Sequence, residues 1–383
     1  MTQGKDWPVV GMVGGGQLAR MTQPAAINLG IGFTVLAASA VDSAAKVIRS
    51  PMVADEKALE DLRRFAAACD VVTFDHEQVP PELLHALAES GVTLRPSPQA
   101  LLYAQDKGAM RAKLTDIGVP CPPHRIVDSP DDVAAFAAEH GGWPVVLKTT
   151  RGGYDGKGVW LVESPAEAAD PFKAGVPVLA EERVDFAREL AAVVARSPHG
   201  QAVAYPIVES VQQDGMCIEV VAPAPGLPTD RATEAQRIAL TTAASLDVVG
   251  ILAVEMFETT DGRLLVNELA MRPHNSGHWT IDGAVTSQFE NHLRAVLDLP
   301  LGSPAARAEC AVMVNVLGGD LPDVYPAYRH VMARDPWLKV HWYGKQFRPG
   351  RKLGHVTVYG SDLDDLRARA WHAADYLKGD IDE

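Results

Sequence analysis

Cysteine and positive charge are both scarce in this chain. Four cysteines occur among 383 residues, at positions 69, 121, 217 and 310, and no two of them form a Cys-x-x-Cys pair. This spacing argues against a zinc site or a disulfide framework and is typical of a reducing compartment. Lysine and arginine number 35 against 49 aspartates and glutamates, for a formal net charge of -14. That balance argues against nucleic acid or an anionic membrane as the main partner.

The sequence also lacks an apolar run long enough to span a bilayer, and its first seven residues contain no apolar core of a signal peptide. We therefore expect a cytoplasmic protein with no membrane partner. Hydrophobic residues make up 47% of the chain, which is a globular composition. A length of 383 residues exceeds one small core and predicts two or three domains.

The N-terminal segment predicts a parallel sheet but lacks the dinucleotide-binding fingerprint. An apolar strand over residues 8–13 leads into three glycines and Gln17, then a helix to Leu29 and a second strand over residues 31–37. The glycine spacing is not G-x-G-x-x-G, and no carboxylate ends the second strand. A nicotinamide dehydrogenase is therefore disfavoured. Binding of another phosphate at the helix N-terminus stays open.

A glycine-rich hairpin is predicted over residues 145–162, where two apolar runs flank a loop with four glycines. Lys148, Arg151 and Lys157 place positive charge beside backbone N–H groups that glycine allows to approach an anion. We interpret the loop as a flap over nucleotide phosphates, with an ordinary hairpin as the alternative. It is not a Walker A loop, because Gly158 follows the lysine and a strand follows the loop.

A second hairpin places two carboxylates opposite each other. Apolar runs over residues 248–257 and 263–269 are joined by a turn that contains Asp261-Gly262, a strong two-residue hairpin signal. With those two residues at the centre of the turn, Glu255 faces Glu268 on one side of the hairpin. Two adjacent carboxylates repel each other unless a cation lies between them, and Mg²⁺ bridging to phosphates is the favoured candidate. Two solvent-facing glutamates are the alternative.

Two further polar segments predict anion binding. Arg272, His274 and Asn275 follow the second carboxylate strand and suit an anionic substrate such as bicarbonate. Near the C-terminus, Lys345 is followed by a basic cluster over residues 348–352, which is unusual in an acidic protein. This cluster is suited to a substrate phosphate, with a solvated basic loop as the alternative.

Taken together, the motifs resemble those of the N5-carboxyaminoimidazole ribonucleotide synthetase family, ATP-dependent purine-biosynthesis ligases of the ATP-grasp superfamily. The resemblance runs over essentially the whole chain. The motifs that carry it are Gly14-Gly15-Gly16-Gln17-Leu18, Gly153-Tyr154-Asp155-Gly156-Lys157-Gly158, Asn267-Glu268-Leu269-Ala270, Arg272-Pro273-His274-Asn275-Ser276-Gly277-His278-Trp279 and Arg348-Pro349-Gly350-Arg351-Lys352.

The resemblance implies an α/β ATP-grasp architecture in three parts. These are a preATP-grasp parallel-sheet domain over residues 1–100, an ATP-grasp domain over 101–315 with a flap at 149–159, and a small C-terminal domain over 316–383. It also implies a homodimer whose substrates are small molecules. The implied reaction converts ATP, bicarbonate and 5-aminoimidazole ribonucleotide to the N5-carboxylated ribonucleotide, ADP and phosphate, with Mg²⁺ as cofactor and carboxyphosphate as intermediate.

The resemblance also assigns site residues. Glu255 and Glu268 match the magnesium ligands, and the catalytic residues would be Asp155, Arg272, His274 and Lys352. ATP would be bound by Lys107, Lys148, Gly153, Tyr154, Asp155, Gly156, Lys157, Gly158, Val159, Glu181, Glu182, Arg183, Val184, Glu189, Gln212, Asn267 and Glu268. The ribonucleotide substrate would be bound by Gly16, Gln17, Glu77, Tyr154, Asn275, Lys345, Arg351 and Lys352.

The sequence departs from the family pattern at Met271, which replaces a proline before Arg272, and at two further places near these sites. Residues 74–78 stand where many relatives read Tyr-Glu-Phe-Glu-Asn, and Gln212 stands where relatives often carry histidine. The alternatives are a formate-dependent glycinamide ribonucleotide transformylase, a biotin-type carboxylase and a non-catalytic nucleotide-binding subunit. The run from Arg272 to Trp279 disfavours the first two, and the intact set of charged residues disfavours the third.

Overall fold

Three β-sheets with helices packed against them form the protein, in a computed structural model that describes residues 7–153, 157–319 and 323–382. The strands are β1 Val9–Val13, β2 Gly32–Ala37, β3 Met52–Val53, β4 Val71–Phe74, β5 His124–Val127, β6 Val145–Thr149, β7 Val159–Val162, β8 Val178–Glu182, β9 Phe186–Arg196, β10 Ala202–Ala204, β11 Val208–Gln213, β12 Met216–Ala222, β13 Gly250–Thr259, β14 Leu264–Ala270, β15 Cys310–Leu317, β16 Lys339–Trp342 and β17 Lys352–Gly360. The α-helices are α1 Gln17–Leu29, α2 Leu59–Ala66, α3 Pro81–Glu89, α4 Pro98–Gln105, α5 Lys107–Asp116, α6 Pro130–Glu139, α7 Thr229–Ser245, α8 Thr280–Gly283, α9 Gln288–Val296, α10 Tyr325–Arg334 and α11 Leu363–Lys378.

The N-terminal sheet is parallel, which confirms the prediction made from the β-loop-α-β pattern. Its strand order is β3-β2-β1-β4, and Val13 at the end of β1 pairs with Phe74 at the end of β4. Because parallel strands share an edge at their carboxyl ends, the glycine loop after β1 and the polar residues 75–77 after β4 lie together. Helix α9 packs against α1 and against side chains of β1 and β4.

The second sheet is antiparallel, in the order β5-β8-β6-β7, and contains the glycine-rich hairpin. The predicted hairpin is confirmed, since Lys148 on β6 pairs with Val159 on β7. Gly158 has a φ of +74°, and a Cβ there would lie 2.6 Å from Thr149 Oγ1. Both facts require glycine at this position. Tyr154, Asp155 and Gly156 lie outside the described residues.

The third sheet runs through the ATP-grasp and C-terminal regions. Its order is β14-β13-β9-β11-β12-β15-β17-β16, with β10 paired to β9. The predicted boundary between residues 315 and 316 lies within β15, which pairs with β12 on one side and β17 on the other. The C-terminal strands therefore extend the same sheet, and the exact domain division stays a prediction. Among the described residues, no helix is both long and apolar enough to cross a membrane.

Helix α9 joins the N-terminal sheet to the large sheet through polar side chains that are fully buried. Gln288, Asn291 and His292 have no solvent exposure. His292 Nδ1 accepts a hydrogen bond from the Ile251 amide at 3.2 Å, so its proton lies on Nε2, which is 2.9 Å from Thr73 Oγ1. Burial lowers the pKa of His292 to about 3, which keeps the ring neutral. One neutral imidazole thus connects β13 to β4.

Replacing His292 by leucine is expected to destabilise the protein by about 2–4 kcal/mol, because the Thr73 hydroxyl and the Ile251 amide would both lose a buried partner. Thermal unfolding followed by circular dichroism measures the change. His85→Leu on the exposed face of α3 is the control and is expected to leave the midpoint unchanged. Equal midpoints for the two variants would show that the His292 hydrogen bonds contribute nothing.

Candidate active site

The hairpin of β13 and β14 places Glu255 directly opposite Glu268, as the sequence predicts. The predicted two-residue turn is wrong. The Thr259 amide donates to Arg263 O at 2.9 Å, which leaves three residues, 260–262, in the loop. Thr259 Oγ1 also accepts from the Arg263 amide at 2.8 Å, and Gly262 supplies a φ of +83°. This side-chain bond stabilises a longer turn than the Asp-Gly pattern alone indicates.

A β-bulge restores the predicted register near the two carboxylates. Met256 pairs with Val266 and Glu255 pairs with Glu268, so Asn267 is the extra residue on β14. Bulges re-aim side chains and are frequent next to active sites. Here Asn267 Oδ1 accepts from Lys148 Nζ at 3.0 Å, and Glu268 Oε1 lies 2.6 Å from Lys107 Nζ. The bulge therefore turns both side chains toward the two lysines predicted to bind phosphates.

The two carboxylates cannot easily be charged together. Burial, then the charges of Glu268 and Glu189, raise the pKa of Glu255 to about 8, although Lys352 and Arg272 oppose the shift. Burial also raises the pKa of Glu189, on the neighbouring strand β9, to about 7, against the lowering effect of Lys148. A cleft that holds carboxylates of this kind is stabilised by an added cation.

These residues fit a magnesium ion that is bound together with a nucleotide. Within the described part of the chain, no group of three or more His, Cys, Asp or Glu side chains is close enough to form a complete metal site. Mg²⁺ usually takes one or two protein carboxylates and completes its shell with phosphate oxygens and water. Glu255 and Glu268 supply that number of ligands.

Arg111 was not predicted from the sequence as a functional residue. It completes a closed set of contacts with Glu181, Lys148 and Asn267, called here the Arg111 ring. Arg111 is fully buried in α5, and its Nε donates to Glu181 on β8. Its Nη1 and Nη2 donate to the carbonyls of Val266 at 3.0 Å and Asn267 at 2.8 Å. Lys148 Nζ lies 2.7 Å from the other oxygen of Glu181. The only available signal was its position one helical turn after Lys107, on the same face of α5.

The Arg111 ring determines the protonation state of the Glu181 carboxyl group. Burial acts to raise the pKa of Glu181, but Lys148 and Arg111 lower it to about 2. The carboxylate is thus engaged by two cations. Glu182 is half-buried at the end of β8, and Arg183 and Val184 follow the strand. The contact of residues 181–184 with adenine stays a prediction.

The segment after β14 concentrates polar atoms near the carboxylates. Arg272 Nε lies 2.9 Å from Glu77 Oε1 without hydrogen-bond geometry, and His274 Nε2 lies 3.6 Å from Glu255 Oε1. Glu77 Oε1 and Arg272 Nε are buried within this ion pair, and Asn275 Nδ2 is buried with no hydrogen-bond partner among the described residues. Burial, then the charges of Arg272 and Lys352, lower the pKa of His274 to about 3, so its ring is neutral. Polar atoms in this state suit a bound ligand that supplies their partners.

The glycine loop after β1 is already occupied at one position by a protein carboxylate. Asp75 accepts hydrogen bonds from the amide of Gly16 and, at 3.3 Å, from that of Ala19. A Cβ at residue 16 would lie 2.3 Å from the carboxylate, which explains the glycine. The predicted phosphate site at this helix N-terminus is therefore filled at Gly16 by Asp75. Gln17, the first residue of α1, remains half-buried beside it.

The C-terminal basic segment is held against the N-terminal region. Ser43 Oγ donates to the Tyr343 carbonyl, and Lys46 Nζ donates to Gly344 O at 2.7 Å. Lys345 Nζ lies 5.5 Å from the centre of the Tyr343 ring. Arg351 precedes β17 and Lys352 begins it. Their loop is thereby placed beside the edge of the parallel sheet.

Gln212 and the remaining flap residues show fewer contacts with this cleft. The Gln212 amide donates to Ser210 Oγ at 2.9 Å, at a register shift between β11 and β12. Gly153 and Lys157 are the flap residues on either side of positions 154–156, and Val159 is exposed at the start of β7. Their predicted contacts with ATP stay predictions.

Comparison with known families identifies the class of this enzyme. An ATP-grasp domain matches residues 112–289, and a ribonucleotide synthetase preATP-grasp domain matches residues 8–105. A phosphoribosylaminoimidazole carboxylase C-terminal domain matches residues 311–369. The fold and the site together define an ATP-grasp ligase.

Individual relatives specify the family within that class. The N5-carboxyaminoimidazole ribonucleotide synthase of Mycobacterium bovis is 56% identical over 377 residues, which cover 97% of this chain and 88% of the relative. Two solved synthase structures from Aspergillus clavatus have TM-scores of 0.88. The one in complex with ATP is 34% identical and covers 97% of this chain and 99% of its own. The one with ADP and 5-aminoimidazole ribonucleotide is 33% identical and covers 98% and 99%. The chain belongs to the N5-carboxyaminoimidazole ribonucleotide synthase family.

Replacing Arg111 by methionine is expected to destabilise the protein by about 3–5 kcal/mol, because Glu181 would lose one of its two buried cations. Thermal unfolding measures this loss. Isothermal titration with ATP is expected to show weaker binding as well, since Lys148 would be drawn further toward Glu181. Arg125→Met is the control, because its ion pair with Glu139 is exposed. Equal unfolding midpoints for the two variants would contradict a stabilising role for the Arg111 ring.

Proposed function

We propose that this protein catalyses the ATP-dependent carboxylation of 5-aminoimidazole ribonucleotide by bicarbonate in purine biosynthesis. The products are N5-carboxyaminoimidazole ribonucleotide, ADP and phosphate. The observation that carries the proposal is the convergence of Glu255 and Glu268 with Lys107 and Lys148 on one side and the segment from Arg272 to Asn275 on the other. Membership of the synthase family supports the same reaction.

The ATP half of the site lies between the antiparallel sheet and the large sheet. Lys148 and Lys107 bind the phosphates, while the flap covers them and Glu189 accepts from the ribose. In forming these contacts the lysines exchange their carboxylate partners for phosphate oxygens. Glu255 and Glu268 would hold Mg²⁺, which would neutralise part of the phosphate charge. The bulge at Asn267 aims its side chain at the same phosphates.

The bicarbonate half of the site is the segment after β14. Arg272 binds the developing carboxyphosphate oxygens through charge-assisted hydrogen bonds. The neutral ring of His274 and the Asn275 amide orient bicarbonate for attack on the terminal phosphate. A neutral imidazole suits this role because it adds no charge that would compete with the arginine. Lys352 at the start of β17, whose charge acts on Glu255 and His274, stabilises the same anion.

The ribonucleotide lies between the edge of the parallel sheet and the C-terminal basic segment. Glu77, Gly16 and Gln17 contact it from the N-terminal side, and Lys345 and Arg351 bind its phosphate. Asp155 orients or deprotonates its amine, and Tyr154 contributes to binding it. We further propose a homodimer, which light scattering tests, and a cytoplasmic location in keeping with four free cysteines.

The deciding assay measures phosphate release from ATP with bicarbonate, with and without 5-aminoimidazole ribonucleotide. Release that depends on this nucleotide and yields an acid-labile carbamate supports the proposal. Glycinamide ribonucleotide with formate serves as the control pair. Stimulation by that pair alone would assign the protein to the transformylase reaction instead.

Replacing Glu268 by glutamine is expected to lower kcat by about 10²-fold or more, since the charge that holds the cation and orders Lys107 is lost. Steady-state phosphate release under saturating ATP measures the effect. Glu60→Gln, an exposed carboxylate paired with Arg63, is the control and should retain full turnover. Unchanged kcat in the Glu268 variant would exclude its role as a metal ligand.

A further inference from the structure

A single buried amide holds the backbone of the proposed bicarbonate-binding segment. Gln288 is the first residue of α9 and has no solvent exposure. Its Oε1 accepts from the His274 amide at 2.9 Å, and its Nε2 donates to the His274 carbonyl at 2.7 Å. Both backbone polar groups of His274 are thus satisfied by one side chain. Only this orientation of the Gln288 amide matches a donor with an acceptor at both positions.

The same amide fixes a second histidine of the segment. Gln288 Nε2 lies 3.1 Å from His278 Nδ1. Because Nε2 can only donate, Nδ1 accepts and the His278 proton lies on the other ring nitrogen. Burial lowers the pKa of His278 well below its ordinary value, so the ring stays neutral. The Gln288 side chain therefore donates two hydrogen bonds to residues 274–278 and accepts one from them.

Helix α9 packs closely against residues 274–278 at Gly277. A Cβ at Gly277 would lie 2.3 Å from Gln288 Oε1, so only glycine fits there. The backbone N–H of Gln288 donates to Thr280 Oγ1 at 2.9 Å. The Thr280 hydroxyl in turn donates to Gly277 O at 2.6 Å. Gly277 is thus restricted by steric contact with Gln288 and accepts a hydrogen bond from Thr280, which itself accepts from Gln288.

We propose that Gln288 is a positioning residue for bicarbonate, one that fixes the backbone of His274 and the ring of His278 and so sets where Arg272, His274 and Asn275 meet the substrate. This inference rests on the proposed function. Gln288 acts through the segment and does not contact the reacting atoms. The His274 ring, 3.6 Å from Glu255, follows its own backbone, so a shift of that backbone moves it relative to the metal ligands.

The isosteric variant Gln288→Glu tests the proposal, because it places an oxygen opposite the His274 carbonyl and His278 Nδ1, both of which are acceptors. The expected result is a fall in kcat/KM for bicarbonate of about 10²-fold, since displacements near 1 Å cost that much. KM for ATP should change by less than about threefold, because the lysines and the hairpin are untouched. Gln288→Met removes all three hydrogen bonds without adding a charge and should act in the same direction.

Asn291→Asp is the matched control. Asn291 lies on the same helix, is equally buried, and undergoes the same amide-to-acid change. Its Nδ2 donates to Tyr205 Oη at 2.8 Å and to Gly302 O at 3.2 Å, away from the segment. It should lower the unfolding midpoint but leave kcat/KM for bicarbonate unaltered. If the control lowers that constant as much as the Gln288 variants do, or if those variants leave it unchanged, the positioning role is overturned.

Hydrogen exchange gives a readout that does not depend on catalysis. Amides of residues 272–280 should exchange faster in Gln288→Glu than in the parent protein, whereas Asn291→Asp should affect residues 300–304 instead. If the parent protein fails to carboxylate the ribonucleotide, the proposed function falls, while exchange still decides whether Gln288 orders the segment. Unchanged exchange at residues 272–280 in both Gln288 variants would refute the proposal.

Discussion

Repulsion between two neighbouring carboxylates is the constraint on which the active cleft depends. Glu255 and Glu268 are held opposite each other by strand pairing, and the Glu255 side chain is only 22% exposed. Their charges must be offset, because a buried carboxylate beside another is costly to ionise. Lys107, Lys148, Arg272 and Lys352 provide positive charge from four separate parts of the chain. The cleft consequently combines two closely placed carboxylates with basic groups from several elements.

A second layer of buried polar groups supports the first. Arg111 and Glu181 connect the antiparallel sheet to the bulge in β14, where Lys148 Nζ donates to Asn267 Oδ1. Helix α9 does the same for the other half of the site through Gln288 and His292. The buried polar atoms of these side chains have hydrogen-bond partners. A buried polar network of that kind favours one packing geometry, whereas an apolar contact would allow several. Precise placement of donors around phosphoryl transfer is what such geometry provides.

The departure of residues 75 and 76 from the family pattern has a structural counterpart. Asp75 caps α1 by accepting from the Gly16 and Ala19 amides, and burial raises its pKa against the lowering effect of those bonds. His76 pairs with Glu56 at 3.0 Å, at the outer side of the same edge. The shape of this edge is therefore determined by contacts within the N-terminal domain.

Local patterns were sufficient for several features of the fold and the site. Alternation of apolar residues and glycine-rich turns predicted the parallel sheet, the flap hairpin and the facing of Glu255 and Glu268, because strand period and turn length are properties of neighbouring residues. The turn itself was predicted one residue too short, since the Thr259 hydroxyl selects a longer loop and a bulge at Asn267 compensates. Two local errors thus cancelled at the carboxylates.

What the sequence determined by itself was the identity of the charged groups and the strands that carry them. Only the tertiary structure decided which buried polar residues hold them in place. Arg111, Gln288 and His292 look like ordinary helix residues, because a polar side chain on a helix is usually solvated. The sequence separation is 70 positions for Arg111 and Glu181 and 219 for His292 and Thr73. It is 14 for Gln288 and His274. No periodicity encodes such pairings, since they arise when separate elements pack and leave each buried donor to find an acceptor.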